Sequence, residues 1–359
     1  MIGVRLILGC AIFPLLVTAP VTVLAWAEAG HKVVALIAFE RLSPQQRTSV
    51  VAMLQHHPSW EEMFARPMAL ELPHGSAEER ERWIFAKASI WPDLVRPPIG
   101  VSAEENPYKA FHHGSWHYTD LPVFPTEADR TELAKHDRDP FMDWHPGWHE
   151  ALRGWNSVQV LKMAAYELPR LETEDGEKAL MLSWLFHLIG DMHQPCHCVS
   201  LYVAGKLKGG DRGANSLTLA GMEGLPLHAF WDNQLNADPQ GRAMPLAEAE
   251  ATAKKLLLRT DLTKTAAASL EVTDPEAWLQ EGRKLAIAHV YTPSLLAALK
   301  EARSLPYTHD GKKHNLWTLV LSEADQKAYQ QQAKVTSERQ VVVAGYRLAK
   351  ALQRIESNP

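Results

Sequence analysis

The chain of 359 residues has little cysteine, little net charge and few stretches that alternate β-branched and polar residues. Three cysteines (Cys10, Cys196, Cys198) cannot build a disulfide framework, so stability must come from packing or from bound metal. A formal net charge of −5 leaves no basic footprint of the sort that tracks duplex nucleic acid. Internal repeats and low-complexity tracts are missing too, and no linker divides the chain. With 46% hydrophobic and 22% charged residues, the composition excludes disorder, collagen-like repeats and a multi-span membrane protein. What stands out instead is 17 histidines and 12 tryptophans.

The first 25 residues differ from the rest. Arg5 is followed by an uncharged stretch from Leu6 to Leu24, which ends in Val23-Leu24-Ala25 with short side chains at the peptidase positions. This pattern predicts a secretory signal peptide at residues 1–25, cleaved after Ala25, with a catalytic domain over residues 26–359 and a secreted or periplasmic location. An uncleaved anchor is the alternative, weakened by Pro14 and Pro20. Lipid attachment at Cys10, after Ile7-Leu8-Gly9, is another.

Beyond residue 25, apolar residues recur at helical spacing. Val33, Leu36, Ile37 and Phe39 share one side of a helix that Ser43-Pro44 stops. Similar patterns run from Trp155 to Leu168, Lys178 to Met192, Pro245 to Leu258, Glu276 to His289 and Ser337 to Ile355. A short strand pair is expected around Ser216 to Ala220, and residues 96–109, 121–148 and 202–215 read as loops rich in Pro and Gly. The charged run at 78–82 and the acidic run at 172–177 read as solvated faces. The expected fold is a single all-α domain with long irregular loops.

Chemistry concentrates in His187-Leu188-Ile189-Gly190-Asp191-Met192-His193-Gln194-Pro195-Cys196-His197. His187 and Asp191, four apart on an apolar helix, present an imidazole and a carboxylate on one face. Pro195 then ends the helix and redirects His197. So many polar groups on an apolar helix are costly to bury without a compensating charge, and neutral imidazoles with a carboxylate are the usual ligands of zinc. His228 and Asp232 repeat the spacing, after Gly209-Gly210-Asp211-Arg212-Gly213-Ala214-Asn215. Three further motifs are Trp116-His117-Tyr118-Thr119-Asp120, Trp91-Pro92-Asp93-Leu94-Val95-Arg96 and Trp26-Ala27-Glu28-Ala29-Gly30-His31. Cleavage after Ala25 would free the α-amine of Trp26, whose lone pair is available near neutral pH. His145 and His149 also stand four apart, but Pro146-Gly147 breaks the helix that this spacing needs. His112 and His113 read as packing or capping groups beside Trp116.

These five motifs, in this order, resemble the zinc-dependent single-strand-specific nucleases and 3′-nucleotidases of the nuclease P-one and S-one type, relatives of the zinc phospholipases C. The resemblance extends through Glu276 to Tyr291 and Gln340 to Ala349. It implies a phospholipase C-like helical fold with three zinc ions. One would be held by Asp93, His117, His187 and Asp191; the next by Trp26 (amine and carbonyl), His31 and the shared Asp191; the third by His197, His228 and Asp232. His193 is left without a ligand role and would support a neighbour. The pattern departs from the family at Ala27 and Ala214, where glycine is usual, and Cys196 and Cys198 cannot reproduce the family's disulfides.

The implied reaction is in-line attack on phosphorus by water activated between the Asp191-linked zinc ions, yielding 5′-phosphates. Asp93 would orient or activate the water, Arg96 would clamp equatorial phosphate oxygens, and the third zinc would stabilise the leaving 3′-oxygen. Tyr118 would stack on an unpaired base, with Asp120 and Asn233 bonding its edge. Zinc charge would outweigh that of the aspartate ligands, which explains how an acidic chain could grip a phosphate. The expected partners are single-stranded DNA or RNA and 3′-nucleotides, with no stable protein partner and no membrane after signal cleavage. The alternatives are a zinc phospholipase C acting on lipid headgroups and a protein that holds zinc without turnover.

Overall fold

The computed structural model describes residues 27–97, 101–102, 104–146, 154–172, 175–222, 225–236, 243–309 and 312–356. The expected signal peptide, Cys10, Trp26 and His149 lie outside the described residues.

Helix ends follow local chemistry. The first helix, α1 (Glu28–Arg41), stops before Ser43, as expected. Pro44, however, also opens α2 (Pro44–Leu54) at its first position, where a missing N–H costs nothing. Ser43 and Gln46 form a reciprocal capping box there. A π-turn at Trp60–Ala65 leads into α3 (Arg66–Glu71). Ser76 and Glu79 cap α4 (Ala77–Leu94) in the same reciprocal way. In the charged run at 78–82, Glu78 and Glu79 are exposed and Arg80, Glu81 and Arg82 are half-buried, while Trp83, Ile84 and Phe85 are buried.

A 3₁₀ turn at Gly114–His117 precedes β1 (Leu121–Val123) and α5 (Glu127–Glu132), both within a segment expected to be loop. Next come α6 (Ser157–Glu167) and α7 (Gly176–Asp191), a 3₁₀ turn at Pro195–Cys198, β2 (Val199–Leu201), β3 (Leu217–Leu219) and α8 (Leu227–Asp232). After α9 (Leu246–Leu257), α10 (Thr260–Ser269), α11 (Pro275–Leu285) and α12 (Pro293–Glu301) comes a hairpin of β4 (Arg303–His309) and β5 (Lys312–Leu319). The long α13 (Glu323–Glu356) completes the thirteen α-helices among the described residues.

The fold is mostly helical, as expected for the all-α class. Two small sheets tie loops together. β1 and β2 pair in parallel, Leu121 opposite Val199 and Val123 opposite Leu201. β3 occupies the place predicted for a strand, but its partner is the distant β5, with Leu217 opposite Trp317. The local strand pair expected around Ser216 to Ala220 is therefore corrected to one strand of a three-stranded sheet in the order β3-β5-β4.

Helix α1 runs through the core against α13, α4, α9 and α7. Its residues Val33 to Phe39 are fully or almost fully buried. Gly345 of α13 lets the two backbones approach, since a Cβ there would lie 2.4 Å from Ile37 Cγ2. Burying the apolar faces of α1, α4 and α7 together fixes the ends that carry His31, Asp93, His187 and Asp191.

Candidate metal centre

Three helices and two 3₁₀ turns converge on Asp191, which closes α7. His187 lies one turn back on the same face, with Nε2 3.1 Å from Asp191 Oδ2. His117, from the turn at Gly114–His117, places Nδ1 at 3.1 Å from the same oxygen. The other carboxylate oxygen, Oδ1, faces His31 Nε2 of α1 at 3.2 Å. Gly190 permits this approach, because a Cβ there would come within 2.7 Å of His31 Nδ1. One carboxylate thus serves two groups of donors.

Asp93, in the last turn of α4, completes the first group. Its Oδ1 lies 3.7 Å from His187 Nε2 and 3.9 Å from His117 Nδ1. Arg96, one turn further, sets its Nε 2.9 Å from that oxygen, and its side chain keeps 25% of its exposure. Pro92 removes one N–H from this final turn of α4, whose Ser89 carbonyl accepts His187 Nδ1–H at 2.8 Å. That bond places a proton on Nδ1 of His187 and aims Nε2 at the carboxylates.

A third group forms where the turn at Pro195–Cys198 meets α8. His197 Nδ1–H donates to the His117 carbonyl at 2.7 Å, and His228 Nδ1–H donates to the Gly213 carbonyl at 2.6 Å. Both Nε2 atoms therefore carry lone pairs, yet they face each other at 3.1 Å. Asp232 lies beside them, with Oδ2 3.4 Å from His228 Nε2 and Oδ1 3.9 Å from His197 Nε2. Gln194 Nε2 donates to Asp232 Oδ1 at 2.6 Å and orients it.

Within each of three sets, His31–His187–Asp191, Asp93–His117–His187 and His197–His228–Asp232, the donor atoms lie within 4.8 Å of one another, and every member is buried. His31 Nε2, Asp191 Oδ1 and Asp232 Oδ2 are buried without a hydrogen-bond partner. Facing lone pairs and orphaned carboxylate oxygens are unfavourable when buried, and a divalent cation in each set would satisfy them. The donor set, imidazole with carboxylate and no thiolate, fits zinc. Cys196 and Cys198 are free and buried, and burial pushes both thiols up.

Electrostatics suit these roles. Burial lowers the pKa of His31, His117, His197 and His228, keeping them in the neutral form that can ligate. His187 is the exception: burial lowers it, but the charges of Asp191 and Asp93 outweigh that and raise it. Burial would raise Asp93, yet Arg96 and His187 prevail and hold it below the ordinary carboxylate value.

The residues expected to contact a base are less concentrated. Tyr118 is 44% exposed at the rim. Asp120 is half-buried, and its carboxyl is pushed up to about 8 by burial and by the neighbouring Asp211, against the pull of Arg212. Asn233 uses its amide N–H on the Ala229 carbonyl of its own helix, at 2.8 Å, while its Oδ1 has no hydrogen-bond partner. His193 lies outside the three sets. Its Nδ1–H donates to the Ile189 carbonyl at 2.6 Å, and its Nε2 accepts from Arg347 of α13 at 2.8 Å. His113 stacks on Trp116 with centroids 3.9 Å apart.

Some supporting groups had no evident signal in the sequence. Gln194 stood inside the strongest motif, and its nearness to His197 was the available hint. The carbonyls of Ser89, His117 and Gly213, which set the imidazole tautomers, leave no mark in residue identity.

Residues 26–357 match the S1/P1 nuclease family, and no curated protein matches the sequence. The match spans nearly the whole chain and favours the nuclease over the phospholipase C alternative. With three buried His/Asp sets able to hold metal, the chain belongs to the S1/P1 nuclease family, the hydrolytic nucleases that act on nucleic acids.

Proposed function

We propose that this protein is a secreted or periplasmic zinc-dependent phosphoesterase. It would hydrolyse single-stranded DNA or RNA and 3′-nucleotides at the P–O3′ bond, leaving 5′-phosphates. The observation that carries this reading is the sharing of Asp191 between two donor sets, beside a third set on His197, His228 and Asp232. Asp93, His117, His187 and Asp191 would hold one zinc; Trp26, His31 and Asp191 the second; His197, His228 and Asp232 the third.

One observation supports processing after Ala25: the family match begins at residue 26. The Ala27 N–H donates to the Asp232 carbonyl at 3.1 Å, which sets this part of the chain beside the third set. A free amine on Trp26 would add a donor that a longer chain cannot offer.

Bound zinc would supply a water that ionises near neutral pH and neutralise charge on the phosphate and on the leaving oxygen. The chain supplies positioning and proton handling. Asp93, held ionised, orients the attacking water and accepts its proton. Arg96, with its Nε on Asp93, would set its guanidinium against the equatorial oxygens of the phosphate. The exposed ring of Tyr118 offers a platform for a base that has left its stack, which selects single strands. Asp120, protonated at neutral pH, donates to a base-edge acceptor, and Asn233 Oδ1 accepts from a base amino group.

The test is hydrolysis by the exported, purified chain. It should release phosphate from 3′-AMP, cleave single-stranded DNA or RNA to 5′-phosphorylated products, and lose both activities with a chelator. Cleavage of phosphatidylcholine with none of 3′-AMP would overturn the reading. Adding one residue before Trp26 should lower zinc content and rate; an unchanged variant would reject the role of the terminus.

A further inference from the structure

A cleft with basic side chains in its lining opens where the 202–216 loop meets β5. It has a volume of about 270 Å³ and is lined by Lys206, Lys208, Arg212, His314 and Trp317, among other residues, with no acidic side chain among the described lining residues. In a chain whose net charge is −5, such a concentration of cations is unusual. The groups are held rather than loose. Lys206 Nζ donates to the Ala302 carbonyl at 2.9 Å and sits 4.5 Å over the Trp317 ring. Arg212 Nη1 lies 3.2 Å from His314 Nε2, and the Arg212 backbone is fixed at φ 57° with its N–H on Ser200 Oγ at 3.1 Å. Lys208 is exposed at the edge.

The cleft adjoins the metal centre through one peptide. Gly213, next to Arg212, is the residue whose carbonyl fixes His228. Arg212, which lines the cleft, also acts through its charge on Tyr118 and Asp120, so the expected base platform is near it. A strand gripped at the histidine sets and stacked on Tyr118 would continue past Arg212 into this lysine-lined space.

We propose that this cleft binds a second backbone phosphate of the same single strand, held by Lys206, Lys208 and Arg212 while the scissile phosphate occupies the metal centre. The proposal rests on the polynucleotide reading above and adds a reason for the enzyme to prefer oligonucleotides to mononucleotides. Each phosphate contact on a single strand contributes a salt-dependent term, with a slope of roughly 0.7 in log affinity against log salt.

The experiment measures binding of a cleavage-resistant phosphorothioate decathymidylate to the zinc-loaded enzyme by fluorescence anisotropy across a salt series. Wild type is compared with Lys208→Glu and with Lys206→Gln, and KM for 3′-AMP is measured in parallel. Lys208→Glu should raise the oligonucleotide Kd about tenfold and flatten the salt slope by about 0.7, a far larger change than in KM for 3′-AMP. Lys206→Gln should shift both quantities in the same direction. An oligonucleotide Kd and slope that ignore both substitutions would overturn the proposal. So would an equal loss for 3′-AMP and the oligonucleotide, which would signal a general field effect. Inorganic phosphate bound through these lysines without any dependence on strand length would make this a free-anion site and also reject the proposal. A protein that binds the oligonucleotide through Lys206 and Lys208 but hydrolyses nothing would sink the hydrolytic reading alone. An active enzyme indifferent to both lysines would sink the cleft alone.

Discussion

Asp191 and Asp232 are both fully buried carboxylates facing imidazoles, yet their surroundings push them in opposite directions. Burial would raise Asp191, but the charges of His187 and His197 and the bonds from His117 and His187 hold it well below the ordinary range. Asp232 is pushed well above that range, first by burial and then by the nearby Asp191 and Asp93, against the Gln194 hydrogen bond and the charge of Arg96. In the Asp191 region the carboxylate is therefore lowered and the imidazole of His187 raised, whereas in the Asp232 region the carboxylate is raised and the imidazoles of His197 and His228 are lowered. Each region offers buried donors for which a cation and protons compete.

The largest expected effect separates the two regions by their share in the centre. Asp191→Asn weakens two donor sets at once, so kcat/KM should fall by roughly four orders of magnitude, about 5.5 kcal/mol. Elemental analysis of the same variant should show the loss of two cations. Asp232→Asn touches one set and should lower kcat/KM by roughly 10²- to 10³-fold with loss of a single cation. Equal losses in the two variants would erase the distinction.

Arg96→Ala leaves every proposed metal donor in place and should lower kcat/KM about 100-fold with unchanged metal content. Loss of metal in that variant would mean that Arg96 acts by holding Asp93 rather than by gripping phosphate.

Proton release reads the comparison directly. Titrating zinc into chelator-stripped protein should release protons, and fewer in Asp232→Asn than in wild type. The sign follows from the raised groups. His187 and Asp232 both hold protons above their ordinary pKa values, so cation affinity should rise with pH and weaken on acidification. Zinc uptake with no proton release would contradict these assignments.

The smallest effect concerns the loop that fixes His228. Ala214 is buried at φ 69°, a conformation that costs an L-residue about 1–2 kcal/mol. Ala214→Gly should relieve that strain and stabilise the fold by about 1 kcal/mol in a denaturant melt, less the entropy glycine adds to the unfolded chain.

The sequence made the helical centre legible because its signals are local. The four-residue spacings of His187 with Asp191 and of His228 with Asp232 put paired groups on one helical face, and apolar periodicity located α1, α6, α7 and α9. Less was legible where partners are distant. β3 pairs with β5 about a hundred residues later, and Pro306 and the polar residues of Arg303–Leu319 masked that hairpin. Ser43-Pro44 read as a stop and proved to be a stop followed at once by a start. The cleft at Lys206, Lys208 and Arg212 was invisible for the same reason as the hairpin: His314, Asn315 and Trp317 of its lining arrive on β5.

Metal content per chain tests the central claim most directly. Elemental analysis of the exported, purified protein should find three zinc ions for each chain, all removed by exhaustive chelation and restored with activity when zinc is returned. A chain that carries no more than one cation, and that hydrolyses 3′-AMP equally well after chelation, would contradict the account.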